Sequence, residues 1–244
     1  MHVTVDYFLE RLGNYPAGAT MIAVDVIRAS TTAISAVVDG RRCFVVPSLE
    51  AATSRQASLP NPFMVGELGG NMPFGFDATN SPVAVTQLGD RERPVLLLSS
   101  SGTSLMAAAS DATAAAYVAC LRNWKAQADS ILRRSPEHVV LLGAGTRGEF
   151  REEDQLCCAW IAAPLLAAGA DSDAATREVV ERWRGMPVAA IGKGKSAAYL
   201  QSSGQLHDLE FILGHVNDVD AVFVIRGDEV RDERGLAVLS SVGD

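Results

Sequence analysis

The chain has 244 residues, 48% of them apolar, which is enough to bury a sizeable core and argues against a disordered chain. Its formal net charge of −8 disfavours broad contact with nucleic acid or with an anionic membrane, since both need a cationic surface. The opening Met1-His2-Val3-Thr4-Val5-Asp6 lacks the basic start and apolar run of a secretion signal, and no stretch of about 18 uninterrupted apolar residues follows. These features predict a soluble, cytoplasmic protein.

Four cysteines, Cys43, Cys120, Cys157 and Cys158, show no C-x-x-C or C-x-x-H spacing, which disfavours zinc and structural disulfides. The only lysines are Lys125, Lys193 and Lys195, and every other basic residue is arginine, a bias that suits bidentate recognition of phosphate or carboxylate. The expected partner is a small anionic phospho-metabolite, held by a few local cations and helix N-termini. A homodimer is the expected assembly on general grounds of size.

The first clear core strand runs from Thr20 to Val24 and ends on Asp25. Arg28 to Thr32 supply cap candidates for a helix through Val38, which Gly40 stops. A strand from Arg42 to Val46 follows, then a helix to about Ala57 capped by Ser48. From Leu59 to Leu88 the pattern dissolves into Gly, Pro and Asn, and a loop of that length is more often functional than idle. Order returns with a strand from Pro94 to Leu98, a hydroxyl-rich turn, a helix from Ser104 to Ser110, a strand from Ala115 to Cys120 and a helix to about Arg133 capped by Asn123. This second unit repeats the grammar of the first at an offset of about 73 residues.

A third unit starts with a strand from His138 to Leu142, a glycine turn, and a helix from about Glu152 to Ala168. A helix from Asp173 to Arg184, a strand from Pro187 to Ile191, a helix from Ser196 and a strand from Ala221 to Ile225 complete the chain. Alternating strands and helices predict an α/β protein, three-layer α/β/α with a mainly parallel sheet. Residues 1–244 read as one catalytic unit, with room for two similar lobes at about 1–134 and 135–244.

Ligands of parallel sheets collect at the C-terminal strand ends, where helix N-termini offer free N–H groups. Asp25, the Ser99-Ser100-Ser101-Gly102-Thr103 turn and the stretch from Gly143 to Asp154 would all fall there. Asp25-Val26-Ile27-Arg28-Ala29-Ser30-Thr31-Thr32 joins a carboxylate for a cation to a guanidinium for an oxyanion and hydroxyls at a helix start, the parts that phosphoryl transfer needs. Glu67, Asp77, Asn80 and Ser81 stand in flexible backbone, and their oxygens suit magnesium. Two other motifs compete. Gly143-Ala144-Gly145-Thr146-Arg147-Gly148 fits a dinucleotide fingerprint but its helix starts late, and Gly194-Lys195-Ser196 ends like a phosphate-binding loop without the first glycine.

Taken in order, D-V-I-R-A-S-T at Asp25 to Thr31, G-E-L-G-G at Gly66 to Gly70, G-F-D-A-T-N-S-P at Gly75 to Pro82, a strand and turn ending in Gly102-Thr103, and Ala144-Gly145 followed by Glu153-Asp154 resemble the signature of the 2-phosphosulfolactate phosphatases. The resemblance runs from about Ala23 to Asp154, and more faintly on to Asp220. It implies magnesium-dependent hydrolysis of the phosphate ester of a sulfonated lactate, in a coenzyme M type of pathway. Two positions depart from the pattern: Leu68 where an arginine is expected, and Ser101 where an asparagine is expected.

The reading that follows makes Asp25, Arg28 and Asp154 catalytic. It assigns Asp25, Glu67 and Asp77 to Mg2+, and Ser30, Thr31, Asn80, Ser81, Ser101, Gly102 and Thr103 to the substrate. Two alternatives stay open: a phosphatase for a related small phospho-acid, and a non-catalytic anion-binding protein on the same scaffold.

Overall fold

The structure is a computed structural model that describes residues 1–7, 9–145 and 149–235. Its strands are β1 (His2–Asp6), β2 (Thr20–Val24), β3 (Cys43–Val46), β4 (Phe63–Gly66), β5 (Val95–Leu98), β6 (Ala116–Ala119), β7 (His138–Gly143), β8 (Asp171–Ser172), β9 (Phe223–Arg226) and β10 (Glu229–Asp232). Between them lie α1 (Ala29–Val38), α2 (Leu49–Gln56), α3 (Pro82–Gln87), α4 (Gly102–Ala112), α5 (Trp124–Arg134), α6 (Glu152–Ala167), α7 (Ala174–Trp183), α8 (Lys195–Ser202) and α9 (Leu206–Gly214). All the strands join one sheet in the order β4-β5-β3-β10-β9-β6-β2-β7-β1-β8.

Helices cover both faces, which is why β2 and β5 are buried along their whole length and read as unbroken apolar runs. On one face Ala23, Val45, Leu97 and Val118 pack with Ala33 and Met106 of α1 and α4. On the other, Ile22, Val24 and Leu141 pack with Ile131 of α5 and with Leu156 and Ile161 of α6. A smaller cluster of Phe44, Leu96, Met64 and Ala52 closes the second face near β4. The expected three-layer α/β/α build is therefore present.

The sheet is mainly parallel, but it runs in two opposed blocks. β6, β2, β7, β1 and β8 pair in parallel, and so do β3, β5 and β4. The hairpin of β9 and β10 stands between them and is antiparallel to its neighbours on both sides. Crossing it reverses the strand direction. In a flat sheet the ends of β2 and β5, five strand spacings apart, would be separated by roughly 24 Å. Yet a Cβ placed on Gly102, just after β5, would lie 2.7 Å from Cβ of Ala29, just after β2. The sheet curls around α1 and α4 and brings the two strand ends together.

The repeated grammar acquires a spatial meaning here. β2 pairs with β6 and β5 pairs with β3, so each unit's first strand lies beside the other unit's second strand, symmetrically about the hairpin.

Several elements differ from expectation. The aperiodic stretch from Leu59 to Leu88 contains β4, whose four residues are too few for periodicity to show, and α3, which Ser81 caps through Ala84 N–H with Pro82 in its first turn. β1, β8 and β10 fall outside the expected elements, and all three are short. The stretch around Pro187 to Ile191 is a 3-10 helix, Val188–Lys193, and only Ile191 in it is fully buried. A short apolar run carries no period that separates these outcomes. Asn123 precedes α5 but does not cap it: its side-chain oxygen accepts from Cys120 N–H at 3.0 Å and so closes the preceding turn. Ser48 and Asp173 do cap α2 and α7. Among the described residues, no helix is long and apolar enough to cross a membrane.

Candidate active site

The ends of β2, β4, β5 and β7 and the start of α8 surround a cavity of about 470 Å³. It is lined by the acids Asp25, Glu67 and Asp154 and by the cations Arg28, Arg151 and Lys195. Asn80, Ser100, Ser101, Ser196 and Tyr199 complete much of the wall.

Asp25 is almost fully buried at the exit of β2. The turn that holds it is locked from inside, because Asp25 N–H donates to Ser30 Oγ at 2.9 Å and Thr31 Oγ1 donates to Val26 C=O at 2.8 Å. The peptide bond between Ile27 and Arg28 in this turn is cis. A Cβ at Gly102 would overlap Asp25 Oδ2, so only glycine lets the start of α4 approach the carboxylate this closely. Burial, with the nearby charge of Glu67 next in weight, raises the Asp25 carboxyl from its ordinary value near 3.8 to about 7.

Glu67 is held in place by its neighbours. Its carboxylate accepts from Ser100 N–H at 2.8 Å, Ser100 Oγ at 3.0 Å and Gly70 N–H at 2.8 Å. Gly70 has φ +89° and presents its carbonyl to the Tyr199 hydroxyl, an approach that a side chain at 70 would block. Asp154 sits in the first turn of α6 and accepts from Val26 N–H at 2.7 Å. Burial holds its carboxyl well above the ordinary range, with Asp25 and Glu153 adding repulsion. Glu153 is buried and likewise raised, chiefly by burial, and its Oε2 has no partner among the described residues.

Arg28 is paired with Asp208 and not with the nearer acid in sequence, Asp25. Its Nη1 donates to Asp208 at 2.7 Å and to Gln205 at 2.5 Å, and both members of the ion pair are buried. Asp208 also accepts from Ser81 Oγ at 2.6 Å, which ties α1, α3 and α9 to one carboxylate. Among the described residues these bonds all leave from Nη1, so Nε and Nη2 of Arg28 remain for an oxyanion.

The structure gathers some of the expected site residues and sets others apart. Asp25, Arg28, Glu67, Asn80, Ser101 and Asp154 line the cavity, and the side-chain oxygen of Asn80 is buried without a partner among the described residues. Gly102 and Thr103 open α4 beside it, where Thr103 N–H donates to Ser99 Oγ and Ser99 N–H to Thr103 Oγ1, each at 2.9 Å. Ser30, Thr31 and Ser81 spend their hydroxyls on the protein's own backbone and on Asp208, and none of them lines the cavity. Asp77 is also outside it, because its carboxylate accepts from Met64 N–H at 2.8 Å and pairs with Arg93 at 3.2 Å.

Of the two departures, Leu68 turns away from the cavity to pack on the cluster around Phe44, whereas Ser101 lies in the wall. In the glycine run at 143–148, Thr146, Arg147 and Gly148 lie outside the described residues. Gly194-Lys195-Ser196 follows a 3-10 helix and not a strand, which removes the phosphate-loop context. Lys195 and Ser196 nevertheless reach the wall, alongside Arg151, Ser100 and Tyr199. Ser100 and Arg151 fall within the strand-end stretches and Lys195 and Ser196 within the Gly194-Lys195-Ser196 motif, whereas Tyr199 carries no sequence hint.

A carboxylate raised first by burial and then by its like-charged neighbours marks a place where a cation or a proton is wanted. The donor set is all oxygen, which suits a hard divalent ion. Among the described residues, no three side chains of Asp, Glu, His or Cys come close enough to hold a metal ion together. The expected trio of Asp25, Glu67 and Asp77 is thus not assembled, and the acids present fit an ion of the kind that takes one or two carboxylates and shares the rest with water and substrate oxygens.

A curled α/β sheet with buried acids and arginines lining one cavity at its strand ends defines an enzyme for an anionic substrate. The chain matches the 2-phosphosulpholactate phosphatase family over residues 8–228 and belongs to it, which makes it a phosphoric monoester hydrolase. It is 30% identical over 217 residues to a probable 2-phosphosulfolactate phosphatase of Synechococcus sp. strain WH7803, covering 86% of this chain and 87% of the relative. A probable 2-phosphosulfolactate phosphatase of Deinococcus radiodurans is 30% identical over 202 residues, covering 81% and 83%. One from Cyanothece sp. strain PCC 7425 is 35% identical over 172 residues, covering 69% and 70%.

Proposed function

We propose that this protein hydrolyses 2-phosphosulfolactate to sulfolactate and inorganic phosphate, with Mg2+ as its cofactor. The observation that carries the reading is Asp25, a carboxyl raised to about 7 in a cavity wall that also holds Glu67, Asp154 and Arg28. The names of the relatives support the substrate.

Asp25 and Glu67, with Asp154 behind them, are the residues that would hold magnesium. A bound magnesium ion supplies positive charge to the phosphoryl oxygens as charge shifts toward the leaving group. Arg28 contributes Nε and Nη2 to the same oxygens, and the pairing with Asp208 fixes its guanidinium plane beforehand. The N-terminal end of α4, at Gly102, adds a favourable dipole. An ionised Asp154 accepts the proton of the attacking water, and a carboxyl raised above its ordinary range by burial is a stronger base than an ordinary one. Asn80 orients the substrate through its unpartnered amide oxygen, which accepts from a hydroxyl or from water.

The test is inorganic phosphate release from racemic 2-phosphosulfolactate and from 2-phospholactate, each with Mg2+ and with a chelator. Release from the sulfonated ester that disappears with the chelator is the expected result. A folded protein inert on 2-phosphosulfolactate in the presence of Mg2+ would overturn the reading.

A further inference from the structure

The cavity has a second cationic corner that the phosphate chemistry leaves unused. Arg151 precedes α6 and lines the wall with its side chain 19% exposed. Among the described residues its guanidinium makes no hydrogen bond: Glu149 lies 3.9 Å away, too far for one, and Glu153 is felt only as a nearby charge. A partly buried guanidinium with all five N–H groups unspent calls for an acceptor. Lys195 stands beside it as the first residue of α8, its ammonium 2.5 Å from the same Glu149 carboxylate, which that ammonium holds below its ordinary pKa. Gly194 gives α8 no side-chain cap, so the first N–H groups of the helix are left without that partner, and Ser196 lines the same corner. Glu149 is shared by the two cations, while Glu152 and Glu153 approach the start of α8 and Glu153 takes the Ser196 hydroxyl, so the capacity left for a further acceptor lies in the N–H groups of Arg151.

The acidic half offers the substrate's remaining acids nothing comparable. Asp25, Glu67 and Asp154 repel an anion unless a cation intervenes, and Arg28 is committed to the phosphate and to Asp208. A ligand with two anionic ends separated by a short carbon chain would satisfy both halves.

We infer that Arg151 and Lys195, with Ser196 at the start of α8, form the subsite for the sulfonate of the substrate and set the preference for a sulfonated over an unsulfonated phospho-acid. The inference rests on the function proposed above. A sulfonate has three acceptor oxygens arranged as a tripod. A guanidinium edge, an ammonium and a helix start supply donors from three directions, whereas a planar carboxylate would need the guanidinium alone.

The experiment compares kcat/KM for 2-phosphosulfolactate and 2-phospholactate, which retains the carboxylate and lacks the sulfonate, in the wild type and in Arg151→Ala, Arg151→Lys and Lys195→Ala. Thermal melting serves as the folding control. Arg151→Ala is expected to lower the ratio of the two kcat/KM values by roughly 10- to 100-fold, the value of a charge-assisted bidentate contact. The loss should fall mainly in KM, and Arg151→Lys should recover part of it. A folded Arg151→Ala protein that keeps the wild-type ratio, or loses both activities equally, would refute the subsite while leaving the phosphatase assignment standing. A wild type that releases no phosphate from the sulfonated ester would remove both.

Discussion

The two strand-turn-helix units that meet at the cavity, β2 to α1 and β5 to α4, are built alike and do different work. In each, a hydroxyl on the first turn of the helix accepts the backbone N–H at the strand exit: Ser30 takes Asp25 N–H and Thr103 takes Ser99 N–H. Ala29 to Gly102 and Cys43 to Ala116 are equivalent steps between the units. The first turn carries the buried acid and an arginine. The second carries Gly102, and its missing side chain makes room for that acid. A shared local grammar thus gives two matching scaffolds, and the chemistry comes from the positions where they differ.

The difference can be broken most sharply at Asp25. Asp25→Asn removes the ionisable group and keeps the shape, and it should lower phosphate release by roughly 10²- to 10³-fold or more in a protein that remains folded. Gly102→Ala attacks the same feature from the partner turn. It forces a methyl group onto the carboxylate, and a displacement of the order of 1 Å at a reacting group costs about 10²-fold in kcat. Alanine at Gly204, which has φ +76° but open space around it, should leave kcat alone and change only stability.

Next in size is the effect of Asp25 on stability. Its folded carboxyl stands near 7 and its unfolded one near 3.8, so between these values the native state holds a proton that the unfolded chain has released. Stability of the metal-free protein should therefore fall as pH rises through that window, and Mg2+ should restore part of it. Asp25→Asn should flatten this dependence and raise the metal-free melting temperature at pH 8, by roughly 3 °C or more. A steeper dependence in the variant would contradict the assignment of the raised carboxyl. The smallest expected effects are those of Ser30→Ala and Thr103→Ala, each removing one internal hydrogen bond at about 1 kcal/mol. Similar costs would confirm that the turns are equivalent as scaffolds, even though only one carries the acid.

Asp25, Glu67 and Asp154 could be read from the chain because each sits in a short ordered motif at a strand exit, a loop or a helix start, where local pattern and position coincide. The strands beside them were legible for a related reason, since a sheet covered on both faces writes itself as runs such as Val95–Leu98. Other features depend on partners far apart in the chain. Arg28 is answered by Asp208, 180 positions away, and nothing near either residue announces the pair. Ser30, Thr31 and Ser81 looked like substrate ligands because a hydroxyl at a helix start can face either way, and only packing sends theirs inward. The reversal of strand direction escaped notice because β10, the second arm of the hairpin that causes it, has just four residues. Asp77 has the sequence setting of a ligand, but Arg93 and Met64 N–H take its carboxylate.

The most direct test of the account is a calorimetric titration of Mg2+ into the wild type and into Asp25→Asn, with inorganic phosphate present, at pH 8 and pH 6. The account predicts binding to the wild type that weakens at pH 6, where Asp25 holds its proton, and at least a tenfold loss in the variant at pH 8. Equal binding by the two proteins at pH 8 would mean that the buried acid after β2 is not where the cation sits.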